Sequence, residues 1–481
     1  MASFNDELLS YIDSSPSPFH TVASTKKLLE KAGFKEIKEK DSWSKSCAPG
    51  DKYYLTRNSS TIVAFAIGKK WTSGNAFSIV GAHTDSPCLR IKPVSIKEES
   101  GYLQVGVETY GYAMWHTWFD RDLGVAGRVM VRSKDGSIGQ KLVHIDRPIF
   151  RIPTLAIHLD PHAKSFSFNT ETQLLPIAGL VDDPSTEELG ADKKEGESEP
   201  LKLATERHHP SFIKLLAEEL AVRPEEIVDF ELLLYDVQKA CLGGLRKEFI
   251  FASRLDNLVM SYTAIQGLIR SVDGKDALEE ESSIRMVALF DDEEVGSRTA
   301  QGADSNVLLA ILRRLSVISS GDLEDLFTAF DRSMSRSFLL SADMAHAIHP
   351  NYGEKHESKH APRINKGVVV KLNANARYAT NSPGVALLQE VARADINNDS
   401  NSESAVPLQL FVVRNDSNCG STIGPLLSAL LGIRTVDLGN PQLSMHSVRE
   451  TCGSKDVEYA LLLFLRFFQK FSKVAAGILE E

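Results

Sequence analysis

Residues 285–297 constrain this chain most. Arg285-Met286-Val287-Ala288-Leu289-Phe290 is a short apolar run bounded by charge, and it leads directly into Asp291-Asp292-Glu293-Glu294 and then Val295-Gly296-Ser297. Such a run reads as a strand covered on both faces. Four successive carboxylates at its carboxyl end repel one another unless a cation sits among them. Taken alone, an acidic run is a solvated turn, so the rest of the sequence has to decide.

The pattern around that strand alternates. Asn5 or Asp6 is placed to cap a first helix over Glu7–Ile12, and a second helix over Thr21–Ala32 stops at Gly33. Strands are expected at Tyr53–Leu55, Thr61–Ile67 and Phe77–Ala82, the last ending on His83-Thr84-Asp85-Ser86-Pro87. After Gly243-Gly244, helices are expected at Asp256–Ile269, Ser305–Leu315, Ser382–Ala394, Ile423–Leu431 and Val457–Phe471. They are interleaved with strands at Ile284–Phe290, Ser337–Ala342, Gly367–Leu372, Leu408–Arg414 and Arg434–Leu438. Strands alternating with helices imply a largely parallel sheet covered by helices, an α/β fold.

Between these two stretches the texture changes. From about Arg90 to Lys239, strand-like runs are frequent and helical periodicity is sparse. Strands are expected at Tyr102–Tyr110, Gly127–Val131, Gln140–Ile145 and Val228–Val237, with one helix at Ser211–Ala221. The expected division is an α/β domain in two parts, residues 1–89 and 241–481, interrupted by a β-rich insertion at 90–240. Residues 182–210, rich in Asp, Glu, Lys, Ser and Pro, read as a mobile surface insertion, and 395–404 as a polar loop.

At 481 residues the chain is long enough for two domains. A net charge of -10 argues against a nucleic-acid or anionic-membrane partner. The cysteines Cys47, Cys88, Cys241, Cys419 and Cys452 are odd in number and form no CxxC pair, which argues against a thiolate zinc site and a disulfide scaffold. The N-terminus has no signal-peptide pattern, and no apolar run reaches membrane-spanning length, so a cytoplasmic protein is expected. Delivery to a vacuole or lysosome stays open.

Five places put a metal-type ligand at an expected strand end or helix start: His83 with Asp85, Asp256, Glu293 with Glu294, Asp343, and His446. Strand ends of open α/β sheets converge on one crevice, so these separated segments can meet. Residues two apart on extended backbone face the same way, so Asp85 can accept from the His83 ring and fix its tautomer. Singly, each has an ordinary reading: Asp256 as a helix cap, His446 as a satisfied structural histidine. Together they form a nitrogen-and-oxygen set suited to zinc or manganese rather than copper or an iron–sulfur cluster. Two neighbouring divalent ions need a bridging carboxylate. Adjacent glutamates can divide the work, one binding metal and the other taking the proton of the nucleophilic water.

Several motifs then occur in order: Val80-Gly81-Ala82-His83-Thr84-Asp85-Ser86-Pro87, Trp115-His116-Thr117-Trp118-Phe119-Asp120-Arg121-Asp122-Leu123, Ser253-Arg254-Leu255-Asp256-Asn257, Phe290–Ser297, Ser341-Ala342-Asp343-Met344-Ala345-His346-Ala347 and Met445-His446-Ser447-Val448-Arg449-Glu450. This set resembles the aspartyl aminopeptidase family of dinuclear zinc exopeptidases, over nearly the whole chain. The resemblance implies a zinc exopeptidase-like α/β domain with an inserted β-rich dimerisation domain. It implies that two divalent ions, zinc first with manganese or cobalt as substitutes, are held by His83 and Asp343, by Glu294 and His446, and by Asp256 as the bridge. Glu293 is the implied general base and Asp85 its orienting partner.

The implied reaction removes an unblocked N-terminal Asp or Glu from peptides, with His346, Lys371 and Tyr378 contacting substrate. Lys371 ends an expected strand, where its charge could pair with an acidic side chain. His158, in Ala156-Ile157-His158-Leu159-Asp160, matches a histidine that reaches a neighbouring subunit's site, within a tetrahedral dodecamer. In the tract His346, His349, His356, His360, only His346 is read as functional, because the later spacing does not sustain one helical face. Two other functions fit less of this pattern: a dinuclear metallo-carboxypeptidase or deacylase on the same scaffold, and a non-catalytic assembly protein that keeps the fold.

Overall fold

The computed structural model describes residues 3–43, 46–160, 165–181, 201–318, 323–394 and 405–478. The chain divides into two compact units, one of residues 1–86, 240–445 and 450–481, the other of 87–239 and 446–449. Residues 182–200 and 395–404 lie outside the described residues. Residues 201–210, expected to belong to the mobile insertion, instead carry the short helix Ala204–Arg207 with Ala204, Arg207 and His208 buried, because Arg207 is held by the Pro93 carbonyl at 2.7 Å and by Asp229 at 3.0 Å.

The first unit is α/β. Its nine-stranded sheet runs Lys35–Glu36, Lys52–Arg57, Thr61–Ile67, Ile284–Phe290, Phe77–His83, Phe338–Ala342, Arg434–Gly439, Val368–Lys371, Leu408–Phe411. The four central strands, from Ile284–Phe290 to Arg434–Gly439, are mutually parallel. Ile284–Phe290 and Phe77–His83 are buried at every position, as continuous apolar runs between two helical layers must be.

One layer contains the helices Phe4–Asp13, Pro18–Lys31, Leu255–Ser271, Ser382–Arg393 and Asp456–Ile478; the other contains Val307–Ser316, Leu323–Arg336 and Ile423–Leu431. In the last helix Phe464, Phe467, Phe468 and Phe471 are at most 1% exposed. Each contributes roughly 1.5–3 kcal/mol of burial.

The expected elements appear with shifted ends, and the cap of the first helix differs. Ser3, not Asn5 or Asp6, is the N-cap: its hydroxyl accepts the Asp6 N–H at 3.3 Å, and the Asp6 carboxylate accepts the Ser3 N–H at 3.0 Å. Gly33, at φ +83°, ends the second helix as expected. The helix Leu323–Arg336 was not marked by the sequence pattern. Nor was a five-stranded sheet of Cys241–Gly243, Phe249–Ala252, Glu450–Gly453, Pro441–Leu443 and Ala345–His346, whose short strands come from distant parts of the chain.

The second unit is an antiparallel six-stranded sheet in the order Ile138–Phe150, Leu123–Arg132, Ile227–Asp236, Cys88–Glu99, Tyr102–Tyr110, Ile177–Leu180. The amphipathic helix Pro210–Leu220 buries Phe212, Ile213 and Leu216 in its core. Among the described residues of either unit, no helix is long and apolar enough to cross a membrane.

Candidate active site

Three adjacent parallel strands deliver chemistry to one edge of the nine-stranded sheet. Phe77–His83 ends on His83, which pairs in register with Phe290, the last residue before the acidic turn. On its other side, Phe338–Ala342 is followed by Asp343. Asp256 stands at the start of the helix Leu255–Ser271, in a non-helical turn with Asn257, rather than as a conventional helix cap. Hydrogen bonds fasten that helix to the strand ends: Asn257 Nδ2 donates to the Ala342 carbonyl at 2.8 Å, and Ser261 Oγ to the His83 carbonyl at 2.6 Å.

The acidic turn divides its four carboxylates between two tasks. Asp292, at φ +61°, accepts from Thr299 Oγ1 at 2.7 Å and Gln301 Nε2 at 2.9 Å, while its carbonyl accepts the Ser297 N–H at 2.7 Å. The Asp291 carboxylate accepts the Asp292 N–H at 2.9 Å. These two build the turn, and Glu293 and Glu294 are thereby presented to the cluster.

His83 Nε2 lies 3.4 Å from Asp256 Oδ1, 3.8 Å from Asp343 Oδ1 and 3.9 Å from Glu293 Oε2. His83 Nδ1 lies 3.1 Å from the Asp85 carbonyl oxygen and 3.4 Å from its carboxylate. His83, Asp256 and Glu294 each present a ligand atom within 4.8 Å of the others, and all three are buried. Asp85 is buried completely and accepts the main-chain N–H groups of Glu293 at 3.2 Å and Glu294 at 3.1 Å.

Burial alone would push the His83 ring down, but Glu293, Asp256, Asp343 and Asp85 outweigh it and hold the ring well above its usual range. Burial pushes Glu293 up to about 8; the His83 charge opposes this, and the carboxylates of Asp343, Asp85 and Asp256 add to it. Glu294 is raised by burial and by the nearby Asp256 and Glu293. So dense a set of buried carboxylates around one imidazole is short of positive charge, and a divalent cation would supply it. Nitrogen and oxygen donors without thiolate fit zinc or another borderline divalent ion.

Among the substrate-contacting residues expected from the resemblance, Lys371 ends the strand Val368–Lys371 almost wholly buried, its Nζ 3.6 Å from Asp343 Oδ2 and 5.6 Å from the Tyr378 ring centre. His346 is exposed and lines a cleft of about 280 Å³ with Phe411, His356, Arg414 and Met445. In the same tract, the His349 N–H donates to His356 Nε2 at 3.3 Å and His360 pairs with Glu357, local bonds of a polar loop. His158 lies in the second unit on an exposed loop, and His446 is grouped with that unit, its carbonyl accepting the Met114 N–H at 2.9 Å.

Nothing in the sequence pattern marks which residues fix Asp256. Glu450 accepts the Asp256 N–H at 2.9 Å, and Ser86 Oγ donates to the Asp256 carbonyl at 2.6 Å. Both lie inside motifs already singled out, so only the pairing was hidden.

Central parallel strands that end in a buried imidazole–carboxylate cluster, with a glutamate carboxylate left over by the turn beside it, have the architecture of a metal-dependent hydrolase. The profile of the family "Aminopeptidase I zinc metalloprotease (M18)" matches residues 11–468. The chain is 64% identical over 485 residues to the aspartyl aminopeptidase of Aspergillus oryzae, covering 98% of this chain and 97% of that protein. It is 51% identical over 479 residues to aspartyl aminopeptidase 4 of Saccharomyces cerevisiae, covering 98% and 96%. Among solved structures, the cryo-EM structure of the Ape4 and Nbr1 complex superposes with a TM-score of 0.90 at 50% identity, covering 99% of this chain and 87% of that one. The S. cerevisiae mApe1 dodecamer superposes at 0.81 with 32% identity and 98% coverage of each. The chain belongs to the M18 family of zinc metallo-aminopeptidases.

Proposed function

We propose that this enzyme removes an unblocked N-terminal Asp or Glu from peptides. The observation that carries the reading is the buried Lys371 ammonium 3.6 Å from Asp343, whose other oxygen lies 3.8 Å from His83 Nε2. An ammonium in that position can pair with an acidic side chain on the residue whose amide is being cut. The names of the relatives in A. oryzae and S. cerevisiae support it.

Two divalent ions, zinc first with manganese or cobalt as substitutes, would be held by His83, Asp343, Glu294 and the bridging Asp256; the ligand role of His446 rests on its motif. Bound there, such ions supply Lewis acidity toward a water and a carbonyl oxygen. Glu293 takes the water's proton and returns it to the leaving amine. Asp85 orients His83 through the ring and Glu293 through the main chain. His346 and Tyr378 shape the substrate site together with Lys371.

Assembly is part of the proposal. Leu155, Ile157 and Leu159 are 56%, 72% and 70% exposed around His158, and apolar loops so exposed mark contact surfaces. We assign this loop to the interface between subunits, the β-rich unit to dimerisation, and the assembly to a dodecamer like that of the mApe1 structure, working in the cytoplasm.

The test is release of free Asp from a short Asp-initiated peptide, its N-acetylated form and a Leu-initiated control, with chelator and with zinc restored. Aminopeptidase action requires the free amine and is lost with chelator. Cleavage of the acetylated peptide would favour the deacylase or carboxypeptidase reading, and absence of zinc-dependent hydrolysis the non-catalytic one.

A further inference from the structure

Beside Lys371 the sheet carries a carboxylate that neither the metal cluster nor the acid–base chemistry uses. Asp437 lies on Arg434–Gly439, paired in register with Lys371 on one neighbouring strand and Ser341 on the other. Residues paired across an antiparallel ladder share a face, with Cβ atoms about 4.5–5.5 Å apart. Asp437 is fully buried.

Two loops end on this side chain. Its Oδ2 accepts the Ala379 N–H at 2.6 Å, and its own N–H donates to Thr380 Oγ1 at 2.9 Å. Ala379 directly follows Tyr378, so the loop presenting that ring is tied to Asp437 at two points. Its Oδ1 accepts the Thr422 hydroxyl, which in turn caps the helix Ile423–Leu431 by accepting the Gly424 N–H at 3.2 Å. The fit is tight: a Cβ at Gly424 would fall 2.2 Å from Asp437 Oδ1.

We propose that Asp437 is a positioning residue for substrate selection, holding the Lys371 ammonium and the Tyr378 loop in the one arrangement that favours an acidic first residue. This rests on the reading of Lys371 given above. A lysine is a point charge on a flexible stem, so it discriminates well only where its surroundings restrain it. Asp343 is committed to the metal cluster. Asp437 faces Lys371 across the ladder, within reach of its charge though not in an ion pair with it, and ties down the loop that presents the aromatic ring beside the ammonium.

The test is the ratio of kcat/KM for Asp-initiated over Leu-initiated peptides, measured on the full-length zinc-loaded protein. Asp437→Asn keeps the shape and removes the charge; Gly424→Ala keeps the charge and displaces the carboxylate. We expect either to lower the ratio roughly 10- to 100-fold, through KM for the Asp peptide. Lys371→Met should abolish the preference, and adding Asp437→Asn should change it no further, because Asp437 acts through Lys371.

Equal losses on both peptides, or an additive double variant, would show a merely structural role and overturn the proposal. If the wild type prefers Asp and Asp437→Asn keeps that preference, the anchor alone fails. If the wild type has no preference, the reading of Lys371 fails and the anchor with it. Should Gly424→Ala not fold, Asp437→Asn decides by itself.

Discussion

The carboxylate of Asp85 accepts the main-chain N–H of Glu293 at 3.2 Å, joining the end of one strand to the turn after its neighbour. The same carboxylate lies 3.4 Å from His83 Nδ1. Asp85 therefore sets the imidazole and the neighbouring glutamate at once. In Asp85→Asn, one oxygen becomes an NH₂ group that opposes a main-chain N–H donor whichever way the amide turns, that of Glu293 beside the ring or that of Glu294. Partners of this kind are worth about 10- to 100-fold in metal affinity or activity. We expect kcat to fall within that range at saturating zinc; unchanged kcat with full metal content would remove Asp85 from the machinery.

Glu293 is one of the two acids whose carboxylates the turn does not use, and the one left over by the cluster of His83, Asp256 and Glu294. It is only partly exposed and lies 3.9 Å from His83 Nε2. Glu293→Gln preserves size and takes away the proposed base. We expect it to retain metal by elemental analysis while turnover drops about 10²–10⁴-fold, the usual contribution of a positioned base. Turnover like the wild type's would assign the proton transfer elsewhere.

Asp256 stands in a turn braced by Glu450, Ser86 and Asn257, so its side chain can be removed while its main chain stays held. A bridging carboxylate serves both ions, and its loss should weaken both. We expect Asp256→Ala to lose metal on dialysis at zinc concentrations that leave the wild type loaded. The melting temperature should fall with it, since bound metal stabilises the folded state by mass action. Full occupancy after dialysis would exclude the bridge.

Much of this site could be read in advance because its parts obey local rules. His83 and Asp85 are two apart on extended backbone, and the covered strand before the acidic turn is a continuous apolar run. Neither rule could divide the four acids. That division depends on the left-handed backbone of Asp292 and on Thr299 and Gln301, which nothing in the run foretells. Glu450 and Asp437 were hidden for another reason. They act through register between strands distant in sequence, and pairing of that kind leaves no periodic trace. The helix start at Asp256 was legible as a position, but its non-helical turn was not, because propensity speaks to helix interiors.

In the second unit, Asp120 ties down the loop that carries His158. Its carboxylate accepts from Thr154 N–H at 3.1 Å and from the Thr154 hydroxyl, and its own N–H donates to the Ile152 carbonyl at 2.9 Å. If that loop is a subunit contact, freeing it should loosen assembly before it harms the fold. We expect Asp120→Ala, and more strongly Ile157→Asp, to shift light-scattering mass from the assembled particle toward smaller species. An unchanged particle in Ile157→Asp would place the contact surface elsewhere.

The second unit also contains an acid-sensitive histidine. His208 is buried, with Nδ1 2.8 Å from Ser95 Oγ and its ring centre 4.3 Å from that of Phe230. Burial pushes its pKa down to about 4; the Arg207 charge adds to this and Asp229 opposes it. The folded form thus stays neutral where an unfolded histidine, near 6.5, takes up a proton. Between those values the unfolded state binds more protons, so stability rises with pH and is lost as pH falls from about 6.5 toward 4. His208→Gln cannot titrate. We expect wild-type melting temperature to drop between pH 7 and pH 5 by on the order of 2 °C more than that of His208→Gln, which corresponds to a stability difference of about 2 kcal/mol in a chain of 481 residues. Parallel pH profiles for the two proteins would show that His208 is not the group responsible.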